Sequence, residues 1–314
     1  MISVKDIAKG NIKLRKSNAE KLADLNLQEL LKNEGIKKLY VTCKSLMLDI
    51  AKADFRGEDS SKLKEKYDAT KLKIKKLVKK EKIDISSIKP KYTCSKCKDL
   101  GSINGKDCDC LKREISQILF EQCGLNLNDL PSFDTTKFDL YEDKNTKESV
   151  EHLYKIIENY IDKYRETTKK FVVVCGKVGV GKTHLLKCAV KKAIDNNLIT
   201  YYTTAFNLNQ DMLEYHCASL QDKPSIISKY LDSDILCIDD LGSEVIYKNV
   251  TVEYLYLILN ERQQKGKNTI ITTNLDLEQI RDTYDDRIHS RLINKKDNIL
   301  VEINSEDLRL KRAN

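Results

Sequence analysis

The sequence has no tryptophan, only three prolines and four histidines, and no apolar run of the length that a membrane helix requires. A helix that crosses a bilayer needs about 20 consecutive apolar residues. The first 16 residues are polar and basic, and they lack the apolar core of a secretion signal. These absences predict a cytoplasmic protein with no membrane partner.

The composition is typical of a soluble globular protein. Charged residues make up 33% of the 314 residues and apolar residues 40%, and this length suits two domains. The net charge of +8 is compatible with a polyanionic partner, because contacts with phosphates release counterions. A lysine-rich solvated surface explains the same charge, so the charge alone identifies no partner.

The hydrophobic pattern changes along the chain. Apolar residues between 39 and 50 follow the spacing of one helix face, and a second amphipathic helix is expected over residues 62–80, which together predict a helical hairpin. After Ser132, strand-like runs alternate with helical stretches, a pattern typical of a parallel sheet with helices on both faces. The expected strands are 171–175, 198–203, 235–238, 269–272 and 299–303, and the expected helices are 182–195, 205–220, 250–264 and 277–283.

One segment fits the phosphate-binding pattern G-x-x-x-x-G-K-[ST] without a gap. A strand-like run precedes it and a helical stretch follows, so backbone N–H groups and a helix N-terminus would converge on one anion. We expect Lys182 to reach the β- and γ-phosphates of a nucleotide and the Thr183 hydroxyl to bind Mg²⁺. The predicted nucleotide-binding residues of this loop are Gly176, Gly179, Val180, Gly181, Lys182 and Thr183.

Two other predicted strands end in polar side chains. The run 233–242 carries Asp239 and Asp240, where parallel sheets bind their ligands. Asp239 would hold Mg²⁺, and Asp240 would orient or deprotonate the attacking water. The next strand is followed by Asn274, which we expect to contact the γ-phosphate or that water. Taken alone, this asparagine would be interpreted as a turn residue.

Two arginines, Arg287 and Arg291, stand four residues apart in a helical pattern, so both face one way. An arginine offered to the γ-phosphate of a neighbouring subunit accelerates phosphoryl transfer by orders of magnitude. A surface ion pair, for instance with Asp285, is the other common role of such arginines. The residues leave both interpretations open.

Four cysteines, Cys94, Cys97, Cys108 and Cys110, lie within seventeen residues, with Gly101 and Gly105 between them. Four thiolates at tetrahedral reach suit Zn²⁺, and we predict a structural zinc site. The C-x-C half is tighter than in most zinc knuckles, and an iron–sulfur cluster also uses four cysteines. The other six cysteines are scattered through the chain, most of them in apolar surroundings, where they are expected to be reduced core residues.

Taken together, these motifs resemble bacterial replicative helicase loaders of the DnaC and DnaI type. These are AAA+ ATPases with an N-terminal helicase-binding domain that often binds zinc. The resemblance is specific from about residue 132 onward and general before residue 90. It implies an α/β fold, an AAA+ P-loop three-layer parallel sheet with a truncated lid, preceded by a small helical domain with a four-cysteine zinc knuckle. The domains implied are 1–92 (helical, candidate helicase-binding), 93–115 (zinc knuckle), 116–131 (linker) and 132–314 (ATPase).

The resemblance also implies roles for single residues. One departure concerns Asp240, since many AAA+ proteins have glutamate there, and the shorter acid is expected to slow hydrolysis. The roles implied are Walker A for Lys182 and Thr183, Walker B for Asp239 and Asp240, sensor 1 for Asn274, the arginine finger for Arg291 with Arg287 as second candidate, and the nucleotide-binding sensor 2 arginine for Arg309.

The function implied is ATP-dependent loading of the replicative hexameric DNA helicase onto single-stranded DNA, with ATP, Mg²⁺ and Zn²⁺ as cofactors and self-association through the arginine finger. A transposase helper ATPase of the IstB type shares the ATPase module, but the cysteine cluster and the helical N-terminus count against it. An initiator like DnaA would carry a C-terminal helix-turn-helix, for which little sequence remains. A non-hydrolysing adaptor switched by ATP stays open.

Overall fold

The computed structural model describes residues 3–80, 85–123 and 126–308. By their contacts, the described residues form two compact units. One unit comprises Gly10–Lys106, and the other comprises Met1–Lys9 with Asp107–Asn314. The boundary between Lys106 and Asp107 falls inside a short cysteine-rich segment, residues 93–111.

The first unit is helical and contains α2 over Glu34–Arg56, α3 over Ser61–Lys80 and most of α1, which spans Val4–Leu30 and begins among residues assigned to the second unit. The Asn33 side chain caps α2 by accepting from the N–H groups of Gly35 and Ile36, and Gly57 ends it at φ 71°. The predicted hairpin of α2 and α3 is confirmed. Helix α1 was not predicted, and it contributes Leu30 to a small apolar cluster with Ile36 and Val78.

The cysteine-rich segment holds two short strands, β1 over Ser102–Ile103 and β2 over Lys106–Asp107, followed by helix α4 over Asp109–Glu121. The linker expected over residues 116–131 therefore starts as helix. Ser116 is buried in α4, where its hydroxyl accepts from the Thr200 N–H at 3.1 Å. Phe120 packs against Tyr202 in a tilted arrangement, with ring centroids 6.0 Å apart. The apolar face of α4 thus belongs to the core of the second unit.

The second unit contains a five-stranded parallel sheet, which confirms the predicted fold class. Its strands are β3 Phe171–Gly176, β4 Thr200–Thr204, β5 Ile235–Leu241, β6 Asn268–Thr273 and β7 Asn298–Ile303, in the order β4-β5-β6-β3-β7. Val172 and Val173 point to opposite faces, yet both are fully buried. Burial on both faces is the property that makes parallel strands nearly continuous apolar runs.

Helices α5 to α11 connect and cover these strands. Helices α5 and α6 share one core with alternate residues of the sheet, and Tyr230 of α8 packs edge-on against Tyr201 of β4. Four of the predicted helices, now α6, α7, α9 and α10, are confirmed, whereas α5 and α8 were not predicted. The bounds are α5 Lys144–Asp162, α6 Lys182–Asp195, α7 Ala205–Cys217, α8 Lys223–Asp232, α9 Thr251–Gln264, α10 Leu277–Tyr284 and α11 Asp286–Ile293.

After β7, residues 304–308 contain no helix, and the rest of the expected truncated lid lies outside the described residues. Across the described ranges, no helix combines the length and the apolar character that crossing a bilayer demands.

Candidate nucleotide-binding site

The strand order brings the predicted site residues to one edge of the sheet. Strand β6 lies between β5 and β3, with Ile270 opposite Val172 on one side and Cys237 on the other. The carboxyl ends of these three strands lead to the phosphate loop, Asp239 and Asn274. Because parallel strands end at the same edge, residues more than 50 positions apart in sequence come into contact.

The phosphate loop joins β3 to α6 through glycines at which any other residue would be strained. Gly181 has a φ of 95°, and a Cβ there would lie 2.9 Å from the Tyr141 hydroxyl. Gly179 has a φ of 81°, and a Cβ there would lie 1.8 Å from the Asp307 carboxylate. Positive φ and close approach both demand glycine. Tyr141 also donates to the Val180 carbonyl at 3.0 Å, which fastens the loop from outside.

Lys182 opens helix α6 and is only 7% exposed. Its ammonium donates to the carbonyls of Gly176 and Lys177, both at 2.7 Å, and to Asn274 Oδ1 at 2.6 Å. These three acceptors are neutral, so a phosphate oxygen that replaces one of them would form a stronger bond between opposite charges. Lys182 therefore lies where an anion would be bound.

Asp239 is buried and both of its carboxylate oxygens accept hydrogen bonds from hydroxyl groups. Oδ1 accepts from Thr183 at 3.1 Å and from Thr272 at 2.6 Å, and Oδ2 accepts from Tyr202 at 2.8 Å. A hydroxyl and a carboxylate at this separation fit Mg²⁺, which favours oxygen ligands and retains several waters. Thr183 and Asp239 are thus the residues that would hold the ion, as the sequence predicts.

Asp240 has a φ of 60°, and the pairing of β5 with β6 shifts register between Ile238 and Leu241. An irregularity of this kind re-aims a side chain at a strand end. The Asp240 carboxylate accepts from the Asn274 amide, whose oxygen accepts from Lys182. Asn274 therefore bridges the phosphate loop and the second acidic residue, which is the place for a group that senses the γ-phosphate.

A cavity of about 1010 Å³ opens above these residues. Its lining includes the carboxylates of Asp239 and Asp240, together with Tyr141, Tyr154 and His184. Phe206, at the start of α7, lies on the wall with its side chain 56% exposed. The cavity has room for a nucleotide, since ligand sites usually measure about 300–1,000 Å³.

The two predicted arginines lie on α11 and are not among the described residues that line the cavity. Arg287 pairs with Glu253 at 3.0 Å and Asp285 at 2.8 Å, as a surface ion pair would. Arg291 donates to Asn260 Oδ1 at 2.5 Å. Neither position tests a role between subunits, so both assignments stay predictions. Arg309 lies outside the described residues.

The sulfurs of Cys94, Cys97, Cys108 and Cys110 all lie within 4.8 Å of one another. Thiolates bound to one zinc ion at about 2.3 Å lie roughly 3.8 Å apart at tetrahedral angles, so the cluster fits a closed site. The Asp99 carboxylate accepts from the N–H groups of Thr93 and Cys94, both at 2.8 Å, which fixes the first knuckle. The geometry fits the predicted zinc, while the identity of the ion stays a prediction.

Comparison with known proteins finds similarity in the part of the chain that holds the candidate nucleotide site. Residues 147–295 match the family model of the bacterial DnaA ATPase domain. The chromosomal replication initiator protein DnaA of Treponema denticola is 35% identical over 101 residues, 32% of this chain and 21% of that protein, so the match spans about a fifth of that relative. This part of the chain is therefore similar to the ATPase domain of DnaA.

Two other similarities extend over more of the chain. The phage-like element PBSX protein XkdC of Bacillus subtilis is 23% identical over 60% of this chain and 74% of its own length. A crystal structure of the DnaC helicase loader is 21% identical, with a TM-score of 0.45 over 55% of this chain and 96% of that one. No conclusion about function rests on a structural similarity this distant.

Several residues of the site were not predicted. Tyr202 and Thr272 bind Asp239, and Tyr141 fastens the loop. Tyr202 and Thr272 belong to strands whose residues are buried on both faces, so the sequence carries no signal that separates them from core residues.

Proposed function

We propose that this protein is an ATP-dependent loader that binds the replicative DNA helicase and delivers it to single-stranded DNA when replication starts. The observation that carries the proposal is the combination of a DnaA-type ATPase domain with a separate helical unit and a four-cysteine cluster. In this proposal, the helical unit binds the helicase, and zinc held by the cluster stabilises the segment before the ATPase. The basic charge favours contacts with the DNA backbone.

The ATPase domain would act as a timed switch. Lys182 and the loop bind the phosphates of ATP, and Thr183 with Asp239 holds Mg²⁺. Asp240 orients the attacking water or accepts its proton, and Asn274 links this acid to Lys182. Arg291 would complete the site of a second copy, because no arginine lines the described cavity. Hydrolysis would then require assembly, which suits a protein that releases its partner only after loading.

A second candidate is a non-hydrolysing adaptor that changes its binding when ATP occupies the site. It is favoured by the second acid, since the short Asp240 side chain is already engaged by Asn274. Turnover of ATP in the presence of helicase and single-stranded DNA separates the two candidates. Phosphate release above the level of a Lys182→Ala variant supports the enzyme, and its absence supports the adaptor.

The loader proposal is tested with the full-length protein and the hexameric helicase of the same organism. Three proteins are compared for helicase binding and for helicase transfer onto circular single-stranded DNA: the natural chain, Lys182→Ala, and the matched control Lys191→Ala. Lys191 lies on the same helix and pairs only with Asp195 in the described structure. We expect Lys182→Ala to weaken ATP binding about tenfold or more and to abolish transfer, because charge-assisted bonds are lost. A helicase that neither binds nor transfers with the natural chain refutes the proposal.

A further inference from the structure

One tyrosine, Tyr256 on α9, supports both arginines of α11. The guanidinium carbon of Arg287 lies 4.8 Å from the centre of the Tyr256 ring, and that of Arg291 lies 4.3 Å from it. Both distances are within the roughly 6 Å over which a cation is attracted to an aromatic face. The ring is therefore a shared platform for two positive charges.

The platform belongs to a row of side chains on one face of α9. Glu253, Tyr256 and Asn260 are three and four positions apart, so they line up along the helix. The opposing row on α11 is formed by Arg287 and Arg291, also four apart. Glu253 binds Arg287, Asn260 binds Arg291, and Tyr256 lies between and contacts both. Each arginine thus has its own partner and shares the ring.

The two arginines differ in how their charge is balanced. Arg287 donates to two carboxylates, those of Glu253 and Asp285, and these bonds raise its pKa further above the usual value. Arg291 has a neutral amide as its hydrogen-bond acceptor, and its buried Nε has no acceptor. Within the described ranges, no carboxylate lies at ion-pair distance from Arg291. Its charge is oriented but remains available to an incoming anion.

We propose that Tyr256 is a positioning residue that holds Arg291 ready for the γ-phosphate of ATP bound to a second copy of this chain. The inference rests on the proposed function, because it requires that Arg291 acts between copies. An aromatic face fixes the plane of a guanidinium without neutralising it, whereas a carboxylate would compete with the phosphate. Glu253 is paired with Arg287, so the partner of Arg291 on this helix face is the neutral amide of Asn260.

The first arm of the test asks whether Arg291 acts between copies. An Arg291→Ala protein keeps its nucleotide site, and a Lys182→Ala protein keeps its arginine. Neither is expected to hydrolyse ATP alone, and a mixture is expected to recover hydrolysis because one copy supplies the arginine and the other the nucleotide. A mixture that stays inactive overturns the self-association in the proposed function and this inference with it.

The second arm changes the platform in the arginine donor only. A Lys182→Ala donor that also carries Tyr256→Leu is compared with donors carrying Tyr256→Phe or Tyr254→Leu. Tyr254 is on the same helix but packs against Tyr215 and His216, so its replacement is the matched control. We expect Tyr256→Leu to lower the kcat of the mixture about three- to tenfold, which is the range of one cation–π contact. Tyr256→Phe keeps the ring and should preserve the rate.

The kinetic constants separate positioning from loss of fold. Because the nucleotide sits in the other copy, KM for ATP should stay unchanged while kcat falls. Thermal melting of each donor shows whether it remains folded under the assay conditions. If ATP hydrolysis recovers equally with Tyr256→Leu, Tyr256→Phe and the parent donor, Tyr256 has no positioning role. The action of Arg291 between copies is not affected by that result. A fall shared by Tyr254→Leu indicates general destabilisation and also overturns it.

Discussion

At the scale of single residues, the candidate site depends on hydroxyl groups that hold a buried carboxylate. The Tyr202 hydroxyl binds Asp239 at 2.8 Å from the neighbouring strand. Burial first, and the Asp239 charge second, raise the pKa of Tyr202 far above its usual value. The hydroxyl therefore remains a donor at every pH at which the protein is handled, and it orients the carboxylate that would bind Mg²⁺.

We predict that Tyr202→Phe raises the Mg²⁺ concentration needed for half-maximal ATP binding or hydrolysis by about tenfold, as losses around metal ligands do. A Mg²⁺ titration at fixed ATP measures this shift. The control is Tyr201→Phe, since Tyr201 packs against Tyr230 rather than against Asp239. An unchanged Mg²⁺ midpoint in Tyr202→Phe would show that Asp239 needs no support from β4.

The sequence predicted the residues that would act on phosphate, but it did not predict the residues that hold those side chains in place. Lys182 and Asp239 were found because each follows a strand-like run in a pattern with a chemical meaning. Tyr202 is buried within a strand, and no local pattern distinguishes it from a core residue. Its hydrogen bond to Asp239 depends on the pairing of β4 with β5, and no local sequence pattern predicts the order of strands in a sheet.

At the scale of elements, one buried arginine of α9 joins the end of helix α8 to the start of strand β6. Arg262 of α9 is fully buried and donates to the carbonyls of Tyr230, Ser233 and Asn268 at 2.5–3.0 Å and to the Thr269 hydroxyl at 2.9 Å. Burial lowers its pKa to about 10, so it is still charged at neutral pH. It satisfies backbone groups where α8 ends and where β6 begins.

We predict that Arg262→Leu lowers the free energy of unfolding by about 3 kcal/mol or more, because several buried carbonyls lose their donor. Urea unfolding followed by circular dichroism measures the change. The matched control is Arg281→Ala, because Arg281 is 60% exposed and pairs with Asp286 on the surface. That control should stay within about 0.5 kcal/mol of the natural chain. If the two variants were equally stable, apolar packing in Arg262→Leu would compensate for the lost hydrogen bonds.

The elements themselves were predicted to different degrees. All five strands of the large sheet were found within about three residues of their ends, because buried parallel strands are short, β-branched and apolar. Helix α8 was missed although Pro224 marks its first turn, since a helix of ten residues gives few periodic positions. Helix α1 was missed because its surface is mostly polar, and its apolar contacts come from other helices.

At the scale of the whole molecule, the described residues form two units, and the boundary falls in the cysteine-rich segment. Metal at the four cysteines would fold this segment, because structural zinc sites contribute their binding free energy to folding. The prediction of zinc is therefore also a prediction that the cysteine-rich segment folds only with metal bound.

We predict about one zinc ion per purified chain, and its loss in Cys97→Ser and in Cys108→Ser. Elemental analysis by mass spectrometry measures it. The control is Cys217→Ser, since Cys217 is exposed and far along the chain from the cluster. Iron with visible absorbance in the natural chain, in place of zinc, would assign the site to an iron–sulfur cluster.

The position of Phe206 has an optical consequence. This side chain lines the nucleotide cavity and is 56% exposed, and the chain has no indole group anywhere. A Phe206→Trp variant would therefore carry a single indole, whose emission lies at longer wavelength than that of the tyrosines and can be separated from it. Filling of the cavity would change the polarity around that indole, and the wavelength of its emission would follow occupancy in real time. Position 206 is thus suited to a fluorescent probe of nucleotide binding.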